Sequence, residues 1–297
     1  MNGRELFVLV GMCVAWGFHF VVIKVAVDEI PPLFYAAIRM TLVAILLAAF
    51  LRWRKGQMAT VLLAGVCLGA LNYAFMFSGL KFTTASAAAI ALELYVPFAT
   101  ILSVIVFKEV VGWRRILGIV LAVAGVAIIA GSEPQDGDNK MLLGISLVAA
   151  GAMCEAIGAV LVKRANGFKP IELLAWFALT GAVVLWAFTG IFETGQGEAF
   201  AESNKFIVVA AIIYSAVAAS IFGHTAYYWL IKRLPMSMVA PSNLLVTILA
   251  VAFGVLLLGD EFTVRMAIGC IMALIGVGIV LFRSSDIQQR KFAEPKT

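Results

Sequence analysis

The sequence has few charged residues and few long polar stretches. Of its 297 residues, only 13% are Asp, Glu, Lys or Arg, whereas 63% are hydrophobic. Because a typical soluble domain is only about half apolar, this composition excludes an ordinary soluble protein. The mean hydropathy of +1.04 leads to the same conclusion. We therefore expect a membrane protein with little room for a soluble domain.

Several kinds of chemistry are missing as well. Four cysteines fall in apolar stretches without paired spacing, so neither a disulfide framework nor a zinc site is indicated. No phosphate-binding loop is present, so ATP is not the direct energy source. The sequence has no His and Glu in metal-ligand spacing and no nucleophile beside a base, so neither an enzyme nor a bound cofactor is expected. A cleavable signal peptide is not expected either, because the apolar run from Leu6 is long and lacks a small-residue cleavage site.

What the sequence does contain is a series of apolar stretches long enough to cross a bilayer. A helix needs roughly 20 apolar residues to span a hydrocarbon core of about 30 Å. The sequence predicts an all-α integral membrane fold with ten such helices. The predicted spans are about 5–27, 31–53, 57–80, 83–107, 111–130, 141–165, 169–192, 204–232, 235–258 and 264–283.

The charges between these spans differ in sign on the two sides of the predicted membrane. If the N-terminus is inside, most basic residues lie inside, for example Arg52, Arg54 and Lys55, while acidic residues such as Glu133 and Asp136 lie outside. Basic residues favour the cytoplasmic side. Both termini are therefore predicted to be cytoplasmic, and the net charge of +5 does not indicate a nucleic-acid partner.

The predicted spans form two copies of five, and a short pattern recurs near the end of each copy. It reads Phe107-Lys108-Glu109, Gly118 and Gly125-Val126 in the first copy, and Asp260-Glu261, Gly269 and Gly276-Val277 in the second. Because five is odd, the second copy enters the bilayer from the opposite side. Such inverted repeats are typical of transporters.

We divide the chain at the polar, turn-rich stretch between the copies. The prediction is a first five-helix repeat over 1–132, an outer linker loop over 133–140, a second, inverted repeat over 141–283 and a cytoplasmic tail over 284–297. Lys24 and Lys163 coincide when the copies are overlaid. They are expected to reach opposite membrane interfaces; the alternative is a salt bridge at a closed gate.

These residues resemble a known family, the bacterial ten-helix drug/metabolite transporters built from two EamA-type repeats. The matching stretches are Trp16-Gly17-Phe18-His19-Phe20 up to Lys24, Pro31-Pro32 followed by Arg39, and the recurring pattern near the end of each copy. The second copy departs from the family pattern because it lacks the tryptophan and the arginine. The resemblance implies an inner-membrane protein with a central cavity lined mainly by spans 1, 3, 4, 6, 8 and 9. It also implies export of a small metabolite, and general likeness favours the amino-acid exporter branch.

Ionisable side chains deep in the spans are the first site candidates, because each is costly in a bilayer unless it is paired or hydrated. Glu93 precedes Pro97 by four residues, and the proline cannot donate to the carbonyl of Glu93. A kink there would turn a carboxylate and a free carbonyl towards the cavity, where they suit an ammonium group or a proton. The alternative is an internal salt bridge, for example with Arg39. Pro241 predicts a second break, in span 9.

Three further ionisable residues are candidates. Glu155 occupies the position equivalent to Trp16 in the first copy, and divergence there suits an asymmetric substrate. A pairing of Glu155 with a basic neighbour is the alternative. His19 and His224 could relay protons near neutral pH, or they could be hydrogen-bonded packing residues.

Aromatic and polar side chains complete the candidate site. Trp16, Tyr73 and Tyr95 lie deep in spans 1, 3 and 4 and could form either an aromatic wall or ordinary core packing. Ser242 and Asn243 could receive a carboxylate or an amide of the substrate. The predicted substrate-binding residues are Trp16, His19, Tyr73, Glu93, Tyr95, Glu155, Trp176, Tyr214, His224, Ser242 and Asn243.

The leading hypothesis is a secondary or facilitative transporter that exports small metabolites by alternating access of the two repeats. Amino acids with aromatic or other apolar side chains are the favoured substrates. The alternative is an exporter of drugs or quaternary amines, which carboxylates and aromatic rings would serve equally well. Either could be coupled to protons. The expected partners are the substrate and the lipid bilayer, and a monomer would suffice because the duplication already supplies a two-fold axis.

Overall fold

The computed structural model describes residues 1–108, 111–131, 140–234, 236–239 and 242–293. Within these residues the chain folds into helices joined by short connections, and no strand occurs among them. The predicted outer linker, apart from Lys140, lies outside the described residues. The same holds for Glu109 of the recurring pattern and for the break predicted at Pro241.

The longer helices are numbered here in chain order. They are α1 (Gly3–Glu29), α2 (Pro32–Leu46), α3 (Met58–Phe82), α4 (Ala85–Phe107), α5 (Trp113–Ala130), α6 (Lys140–Arg164), α7 (Pro170–Phe192), α8 (Lys205–Ile231), α9 (Ser242–Leu258) and α10 (Val264–Ala293). Eight of them, all except α2 and α9, are long and apolar enough to cross a membrane. A 3₁₀ turn over Ala48–Phe50 and short helices over Gln196–Glu202 and Met236–Val239 lie in the connections. The chain therefore has the helices of a multi-pass membrane protein.

Helix α2 is shorter than the predicted span of about 31–53. It ends at Leu46, and one 3₁₀ turn follows. The next segment packs against α7, because the indole of Trp176 donates a hydrogen bond of 3.1 Å to the carbonyl of Arg52. This contact between distant parts of the chain takes the place of further helical hydrogen bonds.

Helix α9 begins later than the predicted span of about 235–258. A short helix over Met236–Val239 comes first, and α9 itself starts at Ser242. The sequence has prolines at 235 and 241. Because proline has no amide donor and restricts the residue before it, a continuous helix through this stretch is unfavourable.

Four helix pairs make the main contacts: α5 with α10, α3 with α6, α2 with α7, and α1 with α9. Between α5 and α10, glycines of the recurring pattern let the backbones approach closely. A Cβ atom added to Gly125 would lie 2.5 Å from the carbonyl oxygen of Gly269, and one added to Gly269 would lie 2.6 Å from that of Gly125. Close backbone approach is a main route to helix association in lipid. These glycines are therefore helix-packing positions.

Four of the described helices depart from regular α-helical geometry within their length. Hydrogen bonding becomes π-helical over Val66–Leu71 in α3, Ser215–Phe222 in α8 and Gly254–Leu258 in α9. In α4, a turn at Glu93 and Leu94 separates two helical segments. Irregular segments of this kind occur frequently at functional sites. The π segments were not predicted, since none of them contains proline.

Candidate functional site

Glu93 lies at the interruption of α4. It directly follows the first helical segment, Ala85–Leu92, and is only 8% exposed. Its carboxylate accepts a hydrogen bond from the hydroxyl of Thr247 in α9. The hydroxyl of another helix therefore holds this buried acid. Because the hydroxyl is neutral, the contact provides no counter-ion for the carboxylate.

Two sequence-based interpretations of Glu93 are wrong. Its carbonyl is not free, because it accepts a hydrogen bond of 3.1 Å from the amide of Val96. Pro97 is the third residue of the second segment, Tyr95–Phe107, where a helical amide would have no intrahelical partner in any case. The alternative salt bridge to Arg39 is absent, since neither residue forms an ion pair within the described part of the chain.

Glu155 is held by an amide rather than by a basic neighbour. Asn72 Nδ2 donates to Glu155 Oε2 at 3.3 Å and to the carbonyl of Gly151 at 3.0 Å. Asn72 directly follows the π segment of α3 and is buried, whereas Glu155 in α6 is half-buried. The alternative pairing with a base is thus not observed in the described residues. Asn72 was not predicted, although a single amide inside an apolar span is a visible signal.

His19 belongs to a polar network built on the π segment of α8. Its Nε2 lies 3.0 Å from the hydroxyl of Ser215, which in turn lies 2.6 Å from the hydroxyl of Tyr35. Ser220 donates to the carbonyl of Ser215 and accepts from Nη2 of Arg39, each at 2.9 Å. The network joins α1, α2 and α8. The two serines were not predicted, although they are the hydroxyl residues of an otherwise apolar segment.

Trp16 and His224 contact each other across the same segment. The indole Nε1 of Trp16 donates to the carbonyl of Ala219 at 2.9 Å, and its ring meets that of His224 edge-on at 5.5 Å. His224 Nδ1 lies 2.9 Å from the carbonyl of Ser220, and the ring of Tyr227 lies 5.9 Å from the indole. The structure therefore brings two predicted site residues together.

The three residues predicted as an aromatic wall are divided between clusters. Trp16 packs against a small cluster formed by α1, α8 and α9, whereas Tyr73 and Tyr95 pack against the main core. The guanidinium of Arg39 lies 4.3 Å from the centroid of the Tyr73 ring. One face of Tyr73 is thus already occupied by a cation from the protein itself.

Three other candidates lie where α1, α8 and α9 meet. Ser242 is buried, and its carbonyl accepts a hydrogen bond of 3.6 Å from the thiol of Cys13. The hydroxyl of Ser242 has no partner within the described residues. The hydroxyl of Tyr214 donates to the carbonyl of Ala15 at 3.0 Å, and Asn243 is half-buried. Ser242 and Tyr214 therefore contact α1 close to Trp16.

Trp176 makes its contacts elsewhere. Besides its hydrogen bond to Arg52, its ring meets that of Trp53 edge-on at 5.9 Å. Arg54, next in sequence, pairs with Glu172 at 3.1 Å. The contacts of Trp176 therefore fix the connection after α2 onto α7, and none of them reaches the other predicted site residues.

An apolar groove of about 780 Å³ lies on the flank of the bundle, between α5, α9 and α10. Its lining includes Leu117, Leu244 and Ile275 but none of the predicted site residues. An apolar flank of this kind suits lipid chains rather than a polar substrate. Among the described residues, no group of three or more His, Cys, Asp or Glu side chains could hold a metal ion.

Known proteins resemble this chain over nearly its whole length. Residues 3–131 and 142–282 match the model of the EamA-like transporter family. A probable amino-acid metabolite efflux pump of Salmonella typhimurium is 27% identical over 289 residues, with 95% of this chain and 96% of that protein covered. A probable amino-acid metabolite efflux pump of Escherichia coli is 28% identical over 275 residues, with 91% and 92% covered.

The fold also matches a solved crystal structure. The TM-score is 0.61 at 17% sequence identity, and the match covers 94% of this chain and 99% of the other. At this level of identity the likeness concerns the fold alone.

Proposed function

Because the chain belongs to the EamA-like transporter family, we propose that it exports small metabolites, with aromatic and other apolar amino acids as its substrates. The chain is a transmembrane transporter and not an enzyme. The observation that carries the substrate proposal is how Glu93 and Glu155 are hydrogen-bonded inside the helix bundle. Each carboxylate is held by a neutral donor from another helix, so each is available to an ammonium group.

We further propose ten membrane-crossing helices arranged as two inverted repeats, over 1–132 and 141–283, with 133–140 as the outer loop and 284–297 as the cytoplasmic tail. In such an arrangement α1 corresponds to α6, and α4 to α9. The pairs α1–α9 and α4–α6 are then counterparts, and both make contacts. Helices α2 and α5 pack against their own counterparts, α7 and α10. The basic residues between the spans favour cytoplasmic termini in a bacterial inner membrane.

Alternating access would then be a rocking motion of one repeat against the other around a central site. The Glu93–Thr247 and Asn72–Glu155 hydrogen bonds each join a residue of one proposed repeat to a residue of the other. Interruptions occur in three of the helices that carry these residues, α3, α4 and α9, and also in α8. Irregular backbone at membrane depth is tolerated where it is buried in protein or lines a cavity, and it would let these helices bend.

Two observations favour amino acids as the substrates. An amino acid carries an ammonium group, which the two carboxylates suit, and an apolar side chain, which the rings of Trp16 and Tyr227 suit. In addition, two similar proteins bear the name probable amino-acid metabolite efflux pump. We propose that export is coupled to protons through Glu93, since a buried carboxylate without a cationic partner can take up a proton in place of the substrate.

The second candidate function is export of drugs or quaternary amines. It is favoured by the same two carboxylates, because neither Glu93 nor Glu155 forms an ion pair within the described residues. A permanent cation could therefore bind between them. The two candidates differ in whether the transported molecule needs a carboxylate group.

Counterflow in proteoliposomes tests the proposed function. Vesicles loaded with unlabelled phenylalanine or leucine should accumulate the labelled amino acid faster than empty vesicles, and Glu93→Gln should slow this accumulation without abolishing it. The control is Glu198→Gln, which changes an exposed glutamate and should behave as wild type. Equal accumulation in loaded and empty vesicles would refute amino-acid export. Counterflow of tetraphenylphosphonium in the same vesicles would instead favour the second candidate.

A further inference from the structure

Arg39 in the middle of α2 is a cation enclosed by the protein. It is 2% exposed and is one of the largest fully buried side chains of the described chain. It lies on a helix whose neighbours along the same face, Tyr35 and Ala36, are fully buried as well. Because a charge inside a membrane protein is costly unless it has a partner, such residues mark functional sites by default.

The hydrogen bonds of Arg39 are incomplete. A guanidinium has five N–H donors, and Nη2 donates to the hydroxyl of Ser220 at 2.9 Å. Both Nε and Nη1 are buried without a hydrogen-bond partner among the described residues. The other close contacts are with ring faces, at 4.3 Å from the centroid of Tyr73 and 5.5 Å from that of Phe77. The rings and the hydroxyl steady the guanidinium but do not neutralise its charge.

We infer that Arg39 binds the carboxylate of the transported molecule. A planar guanidinium matches the two oxygens of a carboxylate, and hydrogen bonds between charged partners are the strong ones. The unpaired Nε and Nη1 supply the donors for this contact. This inference rests on the proposed function and extends it, because it requires a substrate with a free carboxylate and so excludes simple quaternary amines.

The surroundings of Arg39 connect it to the proposed ammonium site. Its platform, Tyr73, is half-buried and directly follows Asn72, which holds Glu155. Arg39 and Glu155 thus contact consecutive residues of α3, Tyr73 and Asn72. A small zwitterion could place its carboxylate on Arg39 and its ammonium group on Glu155. Ser220 also links Arg39 to the π segment of α8. A ligand that moves Arg39 would therefore act on that segment through this hydrogen bond.

The experiment compares four labelled or competing probes that differ in their charged groups. They are L-phenylalanine, L-phenylalaninamide, 2-phenylethylamine and 3-phenylpropionate, measured by binding to the purified wild-type protein and by competition in proteoliposome counterflow. L-Phenylalanine should bind wild type at least about tenfold more tightly than L-phenylalaninamide or 2-phenylethylamine, because a charge-assisted hydrogen bond is lost in the latter two.

The variants are Arg39→Gln and Arg39→Lys, with Arg115→Gln as the matched control. Arg115 also donates from Nη2 to a hydroxyl, that of Thr100 at 3.2 Å, but it lies in the first turns of α5. Arg39→Gln should weaken binding of both carboxylates about tenfold and change binding of the amide and the amine less than twofold. Arg39→Lys should keep part of the preference for carboxylates, and Arg115→Gln all of it.

Several outcomes would overturn the inference. An equal loss for all four probes in Arg39→Gln would make Arg39 a structural residue. Equal binding of phenylalanine and 2-phenylethylamine by wild type would also refute the carboxylate site, even if the variants failed to fold. If chloride were the natural partner of Arg39, transport would require chloride, and the protein would bind acids and amines equally well. This result would also refute a carboxylate site.

The same measurements separate this inference from the proposed function. Binding of 3-phenylpropionate that depends on Arg39, without binding or transport of phenylalanine, would support the carboxylate site and refute amino-acid export. Transport of phenylalanine but not of its amide, unchanged in Arg39→Gln, would support amino-acid export and refute Arg39 as the carboxylate site. Binding of none of the four probes would refute both.

Discussion

The hydroxyl of Thr247 donates a hydrogen bond to the carboxylate of Glu93, and this contact ties the interruption of α4 to α9. Both residues are buried, with exposed fractions of 3% and 8%. The donor belongs to one proposed repeat and the acceptor to the other. If α4 moves relative to α9, this hydrogen bond must break or its two residues must move together. Removing the bond therefore tests whether Glu93 takes part in transport.

Thr247→Val keeps the shape of the side chain and removes the donor. We expect counterflow at least about tenfold slower than wild type, because a hydrogen bond to a charged group contributes about 1.5–3 kcal/mol. The control is Thr180→Val, since the hydroxyl of Thr180 is buried without a partner in the described residues and its loss should leave the rate unchanged. Wild-type counterflow in Thr247→Val would show that the bond has no role in transport.

Glu93→Gln tests proton coupling. In wild type, an inward proton gradient should speed export severalfold over the rate without a gradient. Glutamine is similar in shape but takes up no proton, so the variant should show the same rate with and without the gradient. The measurement is the initial rate of amino-acid movement in proteoliposomes with an imposed pH difference. A variant that still responds would place the coupling group elsewhere, with Glu155 as the next residue to change.

The eight helices that are long and apolar enough to cross a membrane could be predicted, because crossing the bilayer imposes a length and an apolar composition that are visible locally. The two acids inside the helices could be found for a similar reason, since Glu93 and Glu155 stand out in apolar stretches of the sequence. Their partners could not be predicted. Thr247 lies 154 residues from Glu93, and Asn72 lies 83 residues from Glu155, so these pairs depend on helix packing that no local pattern encodes.

The errors at helix ends and breaks have a similar origin. Helix α2 ends at Leu46, and beyond it the carbonyl of Arg52 is bound by Trp176 from α7, a contact between residues far apart in the chain. The π segment over Ser215–Phe222 contains no proline from which it could be predicted. Its residues Ser215 and Ser220 contact α1 and α2. In both places tertiary contacts accompany a backbone geometry that the local sequence leaves undecided.

Asp260 fastens the start of α4 to the end of α9. One of its carboxylate oxygens accepts from the amide of Ser86 at 2.9 Å and from the hydroxyl of Ser86 at 2.6 Å. Asp260→Asn should lower the free energy of unfolding by about 1–2 kcal/mol, because the carboxylate satisfies an amide at a helix N-terminus and opposes the helix dipole. Thermal unfolding in detergent measures the change.

The control for this prediction is Asp28→Asn. Asp28 pairs with Lys24 one turn away at 3.1 Å, but its side chain is 53% exposed. Exposed pairs of this kind contribute less than about 1 kcal/mol, so this variant should unfold close to the wild-type temperature. An equal effect of the two substitutions would mean that the contact between Asp260 and Ser86 does not hold the two helices together.

Gly125→Ala tests the close contact between α5 and α10. The new Cβ atom would lie 2.5 Å from the carbonyl oxygen of Gly269 and 2.6 Å from the amide of Ala273, so the helices must move apart. We expect the free energy of unfolding in detergent to fall by about 1–3 kcal/mol, as for other overpacked interiors. Gly190→Ala is the control, because a Cβ there has nothing within 4 Å. Both sites are helical and gain the same helix propensity from alanine, so equal stability of the two variants would refute a tight glycine contact.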